Sequence, residues 1–81
     1  MTGRVVAISR GELVYVYLGG NYAGRVQLDK NDNVITITGG IPDGLVKVYS
    51  KDGKLLKGIV VEQGSGKARV IKAGGGESGR N

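Results

Sequence analysis

The apolar residues of this chain fall into short β-branched runs, and each run ends at Gly, Asn, Asp or Ser. Seven such runs can be marked: Arg4–Ser9, Leu13–Leu18, Gly24–Asp29, Val34–Thr38, Leu45–Ser50, Leu55–Glu62 and Ala68–Ala73. Runs of this length, rich in Val, Ile, Thr and Tyr and separated by turn formers, predict strands. No window of useful length repeats its apolar residues at helical spacing, so no helix is expected. The pattern predicts an all-β fold, a small sandwich or barrel of about seven short antiparallel strands.

Side-chain parity assigns faces. A four-residue loop, Lys30–Asn33, sets Leu28 against Ile35 and Val26 against Ile37, with all four turned inward. Val14, Val16 and Leu18 form the inward set of the second run. Matching them to Val26 on the same face calls for an odd loop, three or five residues, around Gly19–Tyr22, because a register slip of one residue turns every side chain over. The outer face of this half then shows Tyr15, Tyr17, Arg25, Gln27, Thr36 and Thr38. Tyr and Arg are enriched at interfaces, although Tyr also favours strands for its own sake. The sixth run, Leu55–Val61, is apolar on both faces, which fits either a central strand or one covered from outside.

The connections carry turn chemistry. Asn and Asp in Lys30–Asn33 tolerate left-handed backbone. Lys51-Asp52-Gly53 predicts a type I turn closed by a left-handed Gly. Gly64-Ser65-Gly66 turns the chain again, and Gly39–Gly44, with Pro42, makes a longer corner. Residues 1–73 are expected to form one β domain and residues 74–81 a flexible Gly-rich tail.

Composition narrows the chemistry. The chain has 81 residues and neither Cys nor His. Disulfides, thiolate metal sites, imidazole ligands and the usual general base are therefore all missing. A domain this small has a limited core, and oligomerisation or attachment to a larger body is the remaining source of stability. Ser9, Ser50 and Ser65 have no evident activating partner, so no catalytic residue, metal site or cofactor is expected. No signal peptide or membrane span is recognisable in the sequence.

The net charge is +5. Residues 1–44 hold four basic and four acidic residues, and residues 45–81 hold eight basic and three acidic, so the excess lies in the second half. That bias permits a nucleic-acid surface made by Lys47, Tyr49, Lys57, Arg69 and Lys72, as well as ordinary solubility. Tyr49 is the sole aromatic residue of that half, whereas single-strand binders stack several bases.

Two short motifs invite chemistry and lack its parts. Gly64-Ser65-Gly66-Lys67 would need an earlier Gly at Val61 and a hydroxyl at Ala68 to cradle phosphate. Asp29–Asn33 spaces oxygens like the start of a calcium loop, but Val34 occupies the position that requires Gly.

The stretch Leu45-Val46-Lys47-Val48-Tyr49-Ser50-Lys51-Asp52-Gly53-Lys54-Leu55-Leu56, followed by Gly64–Val70, resembles prealbumin-like β-sandwich modules of the carboxypeptidase regulatory type. The resemblance implies a sandwich and a non-catalytic accessory, adhesive or structural part, and it transfers no functional residue.

Together these features point to a non-catalytic structural or assembly protein, such as a virion, filament or shell-decoration subunit. Its expected contacts are Tyr15, Tyr17, Arg25, Gln27, Leu55, Ile59 and Val61, and its expected partner a second copy or a larger protein assembly. It would belong to a virion on that reading and to the cytoplasm otherwise. Two further classes are a basic barrel that binds nucleic acid and an accessory module for a ligand or glycan. Lack of Trp counts against the last, and neither a membrane nor a small-molecule substrate is expected.

Overall fold

The computed structural model describes residues 4–62, 64 and 67–72. Seven strands account for most of them: β1 (Val5–Arg10), β2 (Leu13–Leu18), β3 (Asn21–Leu28), β4 (Val34–Gly39), β5 (Gly44–Tyr49), β6 (Leu55–Glu62) and β7 (Lys67–Lys72). Among the described residues there is no α-helix. The seven β-branched runs of the sequence thus become the seven strands. The expected tail at 74–81, with Ser65, Gly66 and Ala73, lies outside the described residues.

All seven strands belong to one sheet, in the order β4-β3-β2-β1-β5-β6-β7. The sheet curls until its edges, β4 and β7, approach within 8 Å, Cα to Cα, without joining in a ladder. Of the two expected architectures it is a barrel, nearly closed. Every pairing is antiparallel except one: β1 runs parallel to β5, with Val6 opposite Lys47 and Ile8 opposite Tyr49. A parallel pair needs a long crossover. Here the β2–β4 meander and the Gly40–Asp43 corner together provide it.

Three bulges set the register and correct the loop lengths expected from parity. The β2–β3 turn is the two-residue Gly19-Gly20, both with positive φ. Such a turn alone would reverse the faces, but Tyr17 pairs with Tyr22 and Val16 with Gly24, leaving Ala23 as an extra residue. That bulge restores the match of Val14 to Val26, so an odd loop is unnecessary. In the β3–β4 hairpin Leu28 pairs with Val34, not with Ile35. Ile35 is the extra residue there and lies 56% exposed, while Val26 faces Ile37 as expected. Leu56 is the third extra residue, between Tyr49–Leu55 and Val48–Lys57.

The interior is narrow and filled mostly by Val. Ala7, Val14, Val16, Val26 and Leu28 line one side, and Val46, Val48, Ile59 and Val61 the other. No polar side chain is buried among the described residues. Ile41, from the corner after β4, is 2% exposed and stops one end of the barrel. It can do so because Gly24 and Gly39 face each other beneath it. A Cβ on Gly24 would stand 3.0 Å from the Ile41 side chain and 2.3 Å from the Thr38 carbonyl oxygen.

The opposite end is held by polar groups. The Asp29 carboxylate accepts the backbone N–H groups of Asn31 and Asn33 at 2.8 and 2.9 Å, which fixes the β3–β4 loop. Asp32, left-handed with φ 65°, then reaches toward β6, where the Lys57 ammonium donates to its carboxylate at 2.8 Å.

Candidate interaction surface

Outward parity assembles a surface from all seven strands. On β2 it presents Tyr15 and Tyr17, and the β3 bulge adds Tyr22 to the same side. The Tyr22 ring lies 6.3 Å from Tyr15 and 6.0 Å from Tyr17, the latter edge to face. These are favourable aromatic geometries. Tyr22 is 53% exposed, while Tyr15 and Tyr17 are half-buried beside it. Arg25 stands opposite Tyr15, with Gln27 next along the strand and Thr38 and Thr36 across from them on β4. Tyr22 escapes a reading by parity because it looks like part of a loop. A Gly within the strand, Gly24, was the available hint of a bulge.

The ladders carry this surface onward. Tyr17 pairs with Val6 and Tyr15 with Ile8. Val6 adjoins Lys47, Ile8 adjoins Tyr49, and Tyr49 adjoins Leu55. Beyond them stand Leu45 on β5 and Ile71 on β7, both exposed. Gly58 is the low point of this wall: a Cβ there would come 2.9 Å from a Leu45 methyl group, so Leu45 lies over β6. The result is a run of Tyr, Val, Ile and Leu around the outside, interrupted by the charges of Arg25 and Lys47.

The expected contact residues divide on this geometry. Tyr15, Tyr17, Arg25, Gln27 and Leu55 lie on the outer wall. Ile59 and Val61 do not: they are 0% and 1% exposed in the barrel interior, because alternate residues of β6 face inward. They stabilise the fold and cannot contact a partner. The two-sided apolar character of β6 resolves into Ile59 and Val61 inside, and Leu55 and half-buried Val60 outside.

The basic set divides as well. Lys47 and Tyr49 are outward on β5, and Arg69 is outward on β7 opposite Val60. Lys57 has inward parity at the end of the barrel and is engaged by Asp32, so it does not join a cationic outer surface. Lys72 pairs with Lys57 in the β6–β7 ladder.

The described polar groups are occupied in turns. Ser50 Oγ accepts the N–H groups of Asp52 and Lys54, at 3.3 and 3.1 Å. With Gly53 left-handed at φ 87°, this is the turn that Lys51-Asp52-Gly53 predicts. Asp29 is committed likewise, and hydrogen bonds from the Asn33 backbone and side chain, then from the Asn31 backbone, hold its carboxyl below its usual value. Among the described residues no three acidic, His or Cys side chains converge on a metal position. No protein-family model, curated protein or solved structure matches the chain.

Proposed function

We propose that this protein is a non-catalytic assembly module that associates with copies of itself, or with a larger protein body, through the outer wall of its barrel. The observation that supports this reading is the run of exposed apolar side chains joined to the Tyr15–Tyr17–Tyr22 cluster. A small barrel needs only its interior to fold, and large apolar side chains outside it mark contact surfaces. The Tyr rings supply wide, rigid contact area, and such aromatic anchors carry much of the energy of interfaces. A virion, filament or shell-decoration subunit fits this description.

Sedimentation velocity over a range of concentrations tests it. Self-association is expected, and replacing Tyr15 and Tyr17 with Ser should weaken it about tenfold or more, the scale of losing one anchor. The circular dichroism spectrum should be unchanged, because the inward Val14 and Val16 are untouched. A strictly monomeric protein that binds DNA or RNA with strong salt dependence, lost on changing Lys47 and Arg69 to Gln, would refute the reading.

A further inference from the structure

We infer that the seam between β4 and β7 accepts an extended, acidic peptide segment of a partner protein, which adds as a strand along β4. The inference is independent of the outer-wall reading, since it uses the two sheet edges and none of the Tyr residues.

The barrel stops one ladder short of closure. Both edge strands face each other across the seam, where a cleft of about 600 Å³ opens. Val34, Ile35 and Ile37 line one wall, and Val60 and Ala68 line the other. The Ile35 side chain, put outside by its bulge, is the most prominent apolar group there. Lys67 and Arg69 border the β7 side, with Glu62 as the single anionic side chain among the lining residues.

The two edges differ in their protection. Proteins usually blunt a free edge with charge, Pro or a covering element. On β7, Lys67 and Arg69 provide charge. On β4, the sequence Val-Ile-Thr-Ile-Thr provides neither charge nor Pro. The register also shows which main-chain groups are on offer. Gly40 donates its N–H to the Ala23 carbonyl, so the alternation of an antiparallel ladder gives Thr38 and Thr36 to the β3 side. Ile37 then directs its N–H and C=O away from β3, into the seam.

A single extended strand suits this opening better than a second copy does. The edges of a copy lie inside its own seam, behind its own barrel wall, and cannot enter this one. Charge sets the class of peptide. Two cations against one anion border the cleft and the chain carries +5 overall, so an acidic segment is attracted and a basic one repelled. In an added strand side chains alternate, so the β-branched ones would turn inward beside Val34, Ile37 and Ala68 while the acidic ones between them would turn outward to Lys67 and Arg69, as in other cases of strand addition. Neighbouring strands stand about 4.8 Å apart, so a strand paired on both sides needs roughly 10 Å. The seam, under 8 Å at its narrowest, widens when filled.

The test uses a fluorescent eight-residue peptide alternating Val with Glu, titrated with the full chain and followed by anisotropy. Saturable binding is expected. It should weaken at least tenfold for the Lys67→Glu, Arg69→Glu double variant, and it should vanish for the same peptide N-methylated at alternate residues. A Val–Lys peptide should not bind, and the Tyr15→Ser, Tyr17→Ser variant should bind as the wild type does. Absence of binding overturns the inference. Binding that survives N-methylation, or that ignores the charge reversal, overturns it equally. Since both changed residues are exposed on β7, folding of the variant is checked by its unaltered circular dichroism.

Discussion

The two ends of the barrel are closed by opposite chemistry. At one end Ile41 enters the interior over a pair of facing glycines, and the contact is entirely apolar. At the other, the β3–β4 loop is shaped by Asp29 and tied to β6 by Asp32 and Lys57. The apolar stopper depends on volume, so it tolerates salt and acid but not a change of one methyl group. The ionic clasp depends on charge in partly wet surroundings, with both side chains about a fifth exposed (19% and 21%). It therefore responds to solution conditions and contributes less. The two ends should therefore answer to different perturbations, the Ile41 end to a loss of volume and the clasp end to ionic strength.

The largest effect should come from Ile41→Ala. Removing a buried Ile side chain and leaving a cavity costs about 2–5 kcal/mol. For a domain of this size, each kcal/mol lowers the melting temperature by roughly 4–8 °C. Differential scanning calorimetry should show a fall of at least about 8 °C on that scale. Gly24→Ala should point the same way, since its Cβ meets backbone that must move. A small change in either would mean that the corner rests on the barrel without filling it.

The clasp should matter less. Asp32→Asn preserves the tolerance for left-handed backbone while removing the ion pair. A pair this accessible is worth about 1 kcal/mol or less. The loss should be greatest in low salt and fade at high ionic strength, which urea titrations at two salt concentrations would reveal. A salt-independent loss as large as that of Ile41→Ala would erase the contrast between the ends.

Asp29 should give the smallest effect, and one that depends on pH. Its hydrogen bonds favour the carboxylate in the folded state, so the folded value lies below the unfolded one. A lowered carboxyl contributes its full stability above the unfolded value. That contribution is lost as pH falls through the folded value, below about pH 4. Wild type and Asp29→Asn should therefore differ most in melting temperature near neutrality and converge in acid. A difference that stays constant down to pH 2 would detach the turn from the charge of Asp29.

Strand positions were legible because a barrel with one wet face imposes strict alternation. Val14, Val16, Val26 and Ile37 follow it without exception, and Tyr15 and Tyr17 are outward for the same reason. The turn at Ser50–Lys54 was legible from its own residues. What alternation cannot show is an extra residue in a strand. Ala23, Ile35 and Leu56 each shift the faces beyond them, and each hides something: the length of the Gly19-Gly20 turn, the exposure of Ile35, and the parting of Leu55 from Ile59 and Val61. Bulges arise where a curling sheet must twist more sharply, and that demand comes from strands distant in sequence. Ile41 was unreadable for a related reason. A lone Ile between Gly and Pro signals a corner, and only the hollow above Gly24 and Gly39 makes it part of the interior. Of the contact surface, Tyr15 and Tyr17 follow from parity, whereas strict alternation sets Leu55 on one face with Ile59 and Val61, and only the extra Leu56 leaves Leu55 outside while those two turn inward.

The parallel β1–β5 ladder has a consequence for how the molecule comes together. β1 to β4 form one meander and β5 to β7 another, and within each every strand pairs with its sequence neighbour. Those hairpins close small loops and can form independently on microsecond timescales. The ladder in which Val6 meets Lys47 and Ile8 meets Tyr49 is the one strand pairing between the halves among the described residues, and it closes a loop spanning the whole first meander. The entropic cost of long-range order is concentrated in that step. Until β5 arrives, β1 is an unpaired edge exposing Val5 to Arg10. The molecule is thus most open to mispairing along the strand that, once folding is complete, lies at the centre of its sheet.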